Sequence, residues 1–496
     1  MLAQKLKAKT ESTRLFFVLL QQQIRTFVAT KWSNLGLQQN DMTQENNFTA
    51  LAEKPIGALL RQYALPAIIA MLASSLYNII DGIFIGQGVG GDAITGLALT
   101  FPIMALTAAF GAMVGMGGAT LMSLRLGQQD YDSARRILGN VVLLNITLGL
   151  VLGATLLLLI DPILRSFGAS DATLPYAREY MRILMYGNVF THMYFGLNAQ
   201  LRSTNRPKKA MYATFATVIL NTFLNALFIF VFGWGIAGAA WATVLSQVLV
   251  LSWQIRLFSN PNDLIHLSKK ALRPNFKIMR EALVIGLPQF LVNACASLVS
   301  IVITRSMAEY GGDAAVGAFG ISNRILMLTV FIVMGLNQGM QPIAGYNFGA
   351  KRYDRVITAV KYTTIAATIV MTFGFLMCEI FAEQLVSVFA TDAPELMAEA
   401  ARGLRIAVLM FPFVGMQIVS SVFFQSIGMP AKSILLSLTR QMIFFLPGVL
   451  ILPQFFEHAV DGVWYAMPVS DLAATLLSAV LFIHQLRKLK LQTPSL

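Results

Sequence analysis

The sequence predicts an all-α polytopic membrane protein, with twelve transmembrane helices arranged as two parallel-repeat lobes of six helices each. Of the 496 residues, 56% are hydrophobic and 12% are charged, whereas soluble proteins carry about 25% charged residues. The mean hydropathy is +0.65, and a second copy of one sequence pattern follows the first at an offset of about 222 residues. Composition and internal duplication therefore favour a membrane protein built from two repeated lobes of helices.

Twelve apolar stretches are long enough to cross a hydrocarbon core of about 30 Å. We predict them at 57–86, 94–122, 138–160, 179–202, 209–232, 236–257, 279–307, 315–343, 357–381, 401–427, 433–454 and 462–486. The basic cytoplasmic linker 259–277 divides them into a first lobe at 55–258 and a second at 278–490. Residues 1–54 are polar, with one apolar run too short to span a bilayer, and we expect a cytoplasmic tail that is disordered or lies in the membrane plane.

Matched motifs keep their spacing in the two halves. The pairs are Pro66 with Pro288, Gly90-Gly91-Asp92-Ala93 with Gly311-Gly312-Asp313-Ala314, and Asn205-Arg206-Pro207 with Gly428-Met429-Pro430. Because each half contains an even number of helices, the two repeats run in the same direction through the membrane.

The connecting loops alternate in charge. Lys and Arg concentrate in every second loop, for example at 125–136, 202–209 and 351–355, while acids such as Asp161 and Glu395 lie in the others. The positive-inside rule places the basic loops and both termini in the cytoplasm. The net charge of +13 therefore indicates membrane orientation, and we expect no nucleic-acid partner.

No residue pattern favours catalysis. Both cysteines, Cys295 and Cys378, fall inside apolar spans, and the four histidines form no metal-ligating motif. Paired carboxylates, a Ser-Lys dyad and phosphate-binding loops are missing as well. We therefore expect no enzyme activity, no metal and no cofactor other than a coupling ion.

Asp81 is an acid inside the first apolar span, and Ser74, Tyr77 and Asn78 share its helical face. An ionised carboxylate is costly to bury, so it must bind a proton or gain a cation partner. Both outcomes suit ion coupling. The alternative is an acid near a helix end that is wetted by the outer surface. The matching position in the second half is Ile303, which predicts that the second half lacks such an acid.

The fifth span carries a polar stripe at Thr214, Thr217, Asn221 and Asn225, and the sixth carries Thr243. Such a stripe lines a cavity or binds a neighbouring helix, and the spacing leaves both interpretations open. The candidates for a substrate cavity are Ser74, Tyr77, Asn78, Thr217, Asn188, His192, Asn293 and Gln417. His192 could equally be an interhelical residue. Arg324 lies about ten residues into the eighth span, where we expect it to need a partner or water.

These residues and their order resemble the multidrug and toxic compound extrusion (MATE) family over about residues 55–490. The resemblance rests on Leu65-Pro66, Asn78-Ile79-Ile80-Asp81, Gly238-Ala239-Ala240-Trp241-Ala242-Thr243, Gly286-Leu287-Pro288 and the run Ala344-Gly345-Tyr346-Asn347-Phe348-Gly349. On the family pattern, Ala296 stands where one branch has an acid, and the tenth span has none. That places the chain nearer the DinF-like or MepA-like branch.

The resemblance implies a V-shaped pair of lobes and alternating access, with amphipathic cationic drugs or dyes exported in exchange for H⁺ or Na⁺. It assigns the coupling role to Asp81, and implies a site for a cation such as Na⁺, completed by Asn221, Asn225 and Thr243. The family often has Asp at the position of Asn225. The resemblance also implies a monomer in the bilayer of the bacterial inner (plasma) membrane.

Two other transporter classes are alternatives. A flippase for a lipid-linked or polyprenyl substrate of the same superfamily is the alternative, although such proteins usually have a more cationic cavity. A major-facilitator transporter would carry Gly-x-x-x-Asp-Arg-x-Gly-Arg-Arg after its second helix. The sequence has Gly127-Gln128-Gln129-Asp130-Tyr131 there instead, so this class is disfavoured.

Overall fold

The computed structural model describes residues 50–389 and 394–492, and it describes residues 78, 79, 91 and 92 by their backbone alone. The chain over these ranges is α-helical, with two π-helical segments and one short 3-10 helix, and they contain no β-strand. This confirms the predicted all-α class. The predicted tail, 1–54, lies almost entirely outside the described residues, so it stays a prediction.

The described residues of the first half form eight α-helices. They are α1 Ile56–Gly88, α2 Gly91–Gly127, α3 Tyr131–Leu158, α4 Ile160–Ser166, α5 Leu174–Tyr186, α6 Asn188–Ser203, α7 Pro207–Asn225 and α8 Gly235–Phe258, with a π-helix at Ala226–Val231 continuing α7. Local sequence explains where several begin. Pro207 is the first residue of α7, where a missing N–H leaves no bond unmade. Asp130 accepts a bond from the N–H of Ser133 at the start of α3, and this bond holds the pKa of its carboxyl below the usual value.

The second half repeats the plan with one long broken helix. Its elements are α9 Phe276–Gly349, α10 Tyr353–Ile380, α11 Ala382–Ser387, α12 Pro394–Val408, α13 Phe411–Ser426, α14 Pro430–Leu438, a π-helix at Thr439–Phe445, α15 Leu446–Ile451, a 3-10 helix at Leu452–Phe455 and α16 Ala459–Gln492. The 74-residue α9 departs from helical geometry at Gly312, with φ 63° and ψ −159°. Its two arms therefore correspond to the predicted seventh and eighth spans.

Every predicted span coincides with helix. Among the described residues, nine continuous helical segments are long and apolar enough to cross a membrane, and the pair α12 and α13, bent by 56°, makes a tenth candidate. If the two arms of α9 are counted separately, they add one further candidate crossing. The predicted fourth span corresponds to α5 and α6, which meet at Gly187 and are less apolar. Twelve crossings remain the prediction, since hydropathy alone supports fewer.

Backbone conformation repeats between the halves. Three pairs of residues with left-handed φ stand 222 or 223 positions apart: Gly90 (118°) with Gly312 (63°), Gln129 (61°) with Lys351 (58°), and Asn205 (60°) with Gly428 (74°). A non-glycine residue with positive φ is uncommon, so the matched turns are informative. They indicate that the duplication seen in the sequence extends to the detailed geometry of the connections.

Three buried clusters form the core. One lies within the second half, between 303 and 489, and one lies within the first half, between 85 and 244. The third joins the halves: Leu121 and Leu126 of α2 pack with Ile285 and Ile343 of α9. The halves therefore share a core in one region and have separate cores elsewhere.

This shared region lies toward what we call the basic end, the end of the helices that carries Arg125, Lys208, Lys351, Lys432 and Arg487. Glycines let the backbones of α2 and α9 touch there. A Cβ atom on Gly117 would lie 1.9 Å from the carbonyl oxygen of Ala282, and one on Gly286 would lie 1.9 Å from that of Met113. These contacts leave no room for any side chain, so the halves are closed against each other at this end.

Candidate functional site

Asp81 lies on α1, where its side chain is 7% exposed. Asn225, at the end of α7, donates from Nδ2 to Asp81 Oδ1 at 2.7 Å and to Asn221 Oδ1 at 2.9 Å. The two asparagines are one helical turn apart, which places both amides on the face of α7 toward α1. The burial of Asp81 argues against the alternative of an acid wetted at a helix end.

The hydrogen bonds continue from α7 to α8 and back to α1. Asn221 Nδ2 donates to Thr243 Oγ1 at 3.2 Å, and the hydroxyls of Thr243 and Tyr77 lie 3.0 Å apart. The structure thus brings together Asp81, Asn221, Asn225 and Thr243, the four residues predicted to bind the coupling cation, and adds Tyr77. Their role in coupling stays a prediction. We call these five residues the polar chain.

One acceptor of the polar chain is left without a donor. Asn225 Oδ1 is buried and has no hydrogen-bond partner among the described residues. A buried acceptor without a partner is costly, roughly 1–3 kcal/mol, and this one belongs to the residue bonded to the Asp81 carboxylate. Carboxylate and amide oxygens are ligands that hard cations accept. The arrangement can therefore hold a small cation or a proton with Asp81 as the only charged ligand.

Tyr180 of α5 belongs to the same site, and the sequence interpretation missed it. It is 1% exposed, and its hydroxyl faces both the Asp81 carboxylate and Thr243. A tyrosine in an apolar helix is common and carries no signal of its own. Its position eight residues before Asn188, on roughly the same face of the predicted span, is the only hint in the sequence.

The backbone beside the site is irregular. The π-helix Ala226–Val231 starts directly after Asn225, and π-helical turns occur mostly as short bulges at functional sites. The wider turn ends the regular face of α7 at Asn225. This local distortion marks the site independently of its polar side chains.

The remaining predicted residues of the first half make local or interhelical contacts. Ser74 Oγ and Thr217 Oγ1 each donate to the carbonyl one turn back, at 3.0 Å. Asn188 Nδ2 donates to the carbonyl of Gly149 at 3.1 Å, which is a contact between α6 and α3. The side chain of Asn78 lies outside the described residues. Cavity roles for these residues stay predictions.

His192 is fully buried against Gly111 of α2. Among the described residues, neither ring nitrogen has a hydrogen-bond partner, although the backbone of Thr107 lies nearby. In the second half, Asn293 Nδ2 donates to the carbonyl of Gln289 at 3.0 Å. Gln417 is buried, and its Oε1 has no partner in the described part of the chain. The structure gives none of these three a contact with the polar chain.

One expectation about the second half is wrong. It does contain a buried acid: Asp471 of α16 is 4% exposed and accepts a 2.6 Å bond from Arg440 Nε. This acid lies in the predicted span 462–486, on a helix other than the one that matches the helix of Asp81. Arg324, expected to need a partner or water, is exposed and forms no ion pair within the part of the chain that is described, which leaves water as the expectation.

Near mid-depth, above the glycine contacts, the halves meet through larger side chains. The rings of Phe110 and Phe290 lie 4.6 Å apart between centroids, and Gln338 Nε2 lies 3.1 Å from Met71 Sδ. Aromatic and thioether groups adapt to varied apolar shapes. These four residues are candidates for a surface that contacts a flat, apolar ligand.

Replacing Asn225 by Leu is expected to lower the stability of the protein. The change removes both donated bonds and strands Asp81 Oδ1 and Asn221 Oδ1, at about 1–3 kcal/mol for each buried acceptor. Thr222→Val is the matched control, since Thr222 Oγ1 only donates to the carbonyl of Val218. The midpoint of thermal unfolding in detergent should fall clearly for Asn225→Leu and little for the control. Equal midpoints would contradict the polar chain.

Long apolar helices in two repeated halves, with an acid buried beside broken helical geometry, are the architecture of a membrane transporter. The MatE family model matches residues 66–227 and 288–450, one match in each half. The chain belongs to the MATE family. This confirms the resemblance seen in the sequence.

Relatives and solved structures agree with this membership. Multidrug export protein MepA of Staphylococcus haemolyticus is 26% identical over 435 residues, covering 88% of this chain and 95% of that protein. Its Staphylococcus aureus counterpart is 26% identical over 440 residues, with the same coverage. An outward-facing multidrug resistance MATE transporter of the MOP superfamily has a TM-score of 0.84 at 24% identity, covering 91% of this chain and all of that one. A MATE protein in complex with MaL6 has the same score and identity, and both show the likeness of fold.

Proposed function

We propose that this protein is a cation-coupled multidrug efflux antiporter, which exports amphipathic organic cations by alternating access in exchange for H⁺ or Na⁺. The observation that carries the proposal is the buried Asp81 carboxylate bonded to Asn225, whose own Oδ1 lacks a donor among the described residues. The relatives named as multidrug export proteins support the substrate class.

The coupling follows from the cost of burying charge. An empty Asp81 is a carboxylate in an apolar helix bundle, which is unfavourable without a partner. A cation bound by Asp81 and Asn225 removes that cost. A protein that can bind either a small cation or an organic cation, but not both at once, must exchange one for the other as its access alternates.

The contacts between the halves support this alternation. Backbone contact at Gly117 and Gly286 closes the basic end, and separate cores elsewhere let each half move as a unit. With the basic end in the cytoplasm, as the positive-inside rule indicates, the described state is open outward. Phe110, Phe290 and Met71 would then form the base of the substrate cleft.

The same proposal covers location and assembly. We place the protein in the bacterial inner membrane with both termini in the cytoplasm, acting as a monomer. Its partners are cationic drugs or dyes and the surrounding lipid, and the only small group that it requires is the coupling ion.

Purified protein in liposomes tests the function. Vesicles loaded with a fluorescent cationic dye are given an inward pH gradient, an inward Na⁺ gradient or neither, and dye movement is followed for each. Movement driven by one gradient would establish antiport and identify the ion. If the dye moves at the same rate with and without each gradient, or does not move at all, the proposal is overturned.

One observation favours a flippase for a lipid-linked or polyprenyl substrate as the second candidate. Arg202 lines a small cavity between α2, α6 and α9 together with Ser123 and Gln341, and its Nη1 donates to the neutral Asn198 Oδ1 at 2.5 Å. A guanidinium that has no carboxylate partner among the described residues suits a phosphate group. Transfer of a fluorescent polyprenyl phosphate between leaflets, in dye-free vesicles, would favour this candidate.

A further inference from the structure

The second half contains a polar site that the coupling scheme above does not use. Its centre is the ion pair between Arg440, in the π-helix Thr439–Phe445, and Asp471, twelve residues into α16. Arg440 faces the side of its helix that also carries Ser433 and Ser437, away from the exposed positions Leu435 and Ile443. Asp471 is therefore buried inside the helix bundle, whereas Arg440 is partly exposed.

The two halves differ at the positions of this site. Pro207 matches Pro430, and on that register Arg440 stands where the first half has Thr217. Gly238 matches Gly462, which pairs Asp471 with Gln247. Gln247 accepts a neutral bond from Thr191 Oγ1 at 2.5 Å. The second half has thus placed two opposite charges on the helix pair that, in the first half, supplies Asn221 and Thr243.

A row of polar side chains runs from Asp471 toward the basic end. Thr475, Ser478 and Gln485 follow Asp471 on one face of α16, at spacings of four, three and seven residues, and all are buried. The hydroxyl oxygens of Thr475 and Ser478 have no hydrogen-bond partner among the described residues. Gln485 Oε1 accepts a 2.8 Å bond from Lys432 Nζ, at the basic end.

Neighbouring helices add hydroxyls along the same stretch. Ser421 of α13 lies 2.7 Å from Ser437 and 3.3 Å from Ser433 of α14, oxygen to oxygen. Buried polar groups without a protein partner are usually satisfied by water. Thr475, Ser478 and these serines can therefore hold a file of water molecules between Asp471 and the basic end.

We propose that Asp471 is a second proton-binding site, which exchanges protons with solvent at the basic end through this column of hydroxyls and water. A proton from hydronium adds to a carboxylate oxygen of Asp471, and the ion pair with Arg440 Nε breaks. The step leaves neutral Asp471, water and a guanidinium that keeps its charge. This extends the proposed function with a second ion site in the other half.

Unequal exposure makes the pair able to switch. The Arg440 side chain is 32% exposed and that of Asp471 is 5% exposed. When the pair breaks, Arg440 can turn toward its exposed side, whereas the buried acid cannot leave its site and is less costly to bury in the neutral form. An ion pair with both members buried would have no such alternative.

Other charged groups on the helices packed against α16 are engaged elsewhere or make no contact with Asp471. Toward the opposite end of α16, Arg402 pairs with Asp461, and Glu399 accepts a bond from Trp464 Nε1. Lys432 is bonded to Gln485. Lys361 of α10 and Arg324 of α9 make no ion pair within the described chain. Arg440 is thus the one charge that sets the state of Asp471 among these residues.

Infrared difference spectra between acidic and neutral pH test the site without transport. In an Asp81→Asn background, reconstituted protein should show the C=O band of a protonated carboxyl, and adding Asp471→Asn should remove part of it. Asp471→Asn alone leaves the Arg440 guanidinium without its carboxylate, and this could cause misfolding. The double variant Arg440→Gln with Asp471→Asn removes both charges and is the control for that effect. An unchanged band in both variants would overturn the proposal, whether or not the antiport of dye is found.

A second variant tests the column of hydroxyls between Asp471 and the basic end. Thr475→Val with Ser478→Ala keeps the ion pair and the packing volume, so the protein should fold as before. Proton uptake after a pH jump on the basic side should then slow at least tenfold, while the final protonated band is unchanged. A purely structural ion pair predicts that uptake keeps the wild-type rate, and this result would exclude the column. Ser252→Ala, at an exposed site on α8, is the control.

Discussion

Asp81→Asn should reduce gradient-driven dye export to the level seen without a gradient, while the protein still folds and inserts. Coupling free energies of about 1–3 kcal/mol correspond to effects of about 5–150-fold, and all of the coupling carried by a single charged ligand should be lost with its charge. Folding should persist because the amide oxygen introduced by this substitution can still accept the bond that Asn225 Nδ2 donates to the carboxylate. Dye movement out of loaded liposomes measures the gradient-driven export. The fluorescence size-exclusion profile shows whether the variant still folds.

Two controls sharpen this prediction. Ile303→Val changes the position matching Asp81 in the second half and should transport like the wild type. Asp161→Asn removes a half-exposed acid that pairs with Arg178, and it too should have little effect, because exposed ion pairs contribute about 0–1 kcal/mol. If Asp81→Asn pumped normally, the polar chain would be structural and another residue would have to couple the gradient.

Gly117→Ala should hold the two halves apart at the basic end. The added Cβ would lie 1.9 Å from the carbonyl oxygen of Ala282 and 2.7 Å from the backbone nitrogen of Gly286. Backbone atoms cannot move aside as the end of a flexible side chain can, so the closed state must become less stable. We expect strongly reduced transport together with a shift of the population toward the separated state.

Cysteine labelling measures that shift. Cys295 and Cys378 are first replaced by Ala, and Ser123, buried at the junction, is changed to Cys. A shift of about 1.4 kcal/mol toward separation makes labelling by a maleimide about tenfold faster. Gly320→Ala is the control, since nothing lies within 4 Å of its Cβ position. Equal labelling rates and normal transport would show that this junction does not open.

Much of the fold was predictable because it depends on length and polarity. A run of about twenty apolar residues has few alternatives to a helix in a bilayer, so every predicted span coincides with helix. The polar chain was predictable for a related reason. Asp81, Asn221 and Asn225 stand out against apolar surroundings, and their spacing places them on faces that can meet.

Other parts of the site depend on contacts that no local pattern encodes. Tyr180 reaches Asp81 only because α5 packs beside α2 and α8 in three dimensions. The backbone contact at Gly117 is equally invisible, since glycine is common in membrane helices for several reasons. Asp471 was present in the sequence but needed Arg440, 31 residues away, to be recognised as part of a site.

The polar chain also has an electrical consequence. An empty, ionised Asp81 gives the first half a negative charge within the membrane, whereas the Arg440 and Asp471 pair is neutral overall. A transmembrane voltage of about 100 mV acts on a full charge with about 2.3 kcal/mol, scaled by the fraction of the field that the charge experiences. With the basic end at negative potential, the voltage favours the state in which the empty carboxylate is connected to the opposite side, where it can collect its cation. Once loaded, the site is neutral and the voltage no longer acts on it, so the membrane potential would act on the steps in which Asp81 has no small cation bound and not on those in which it has one.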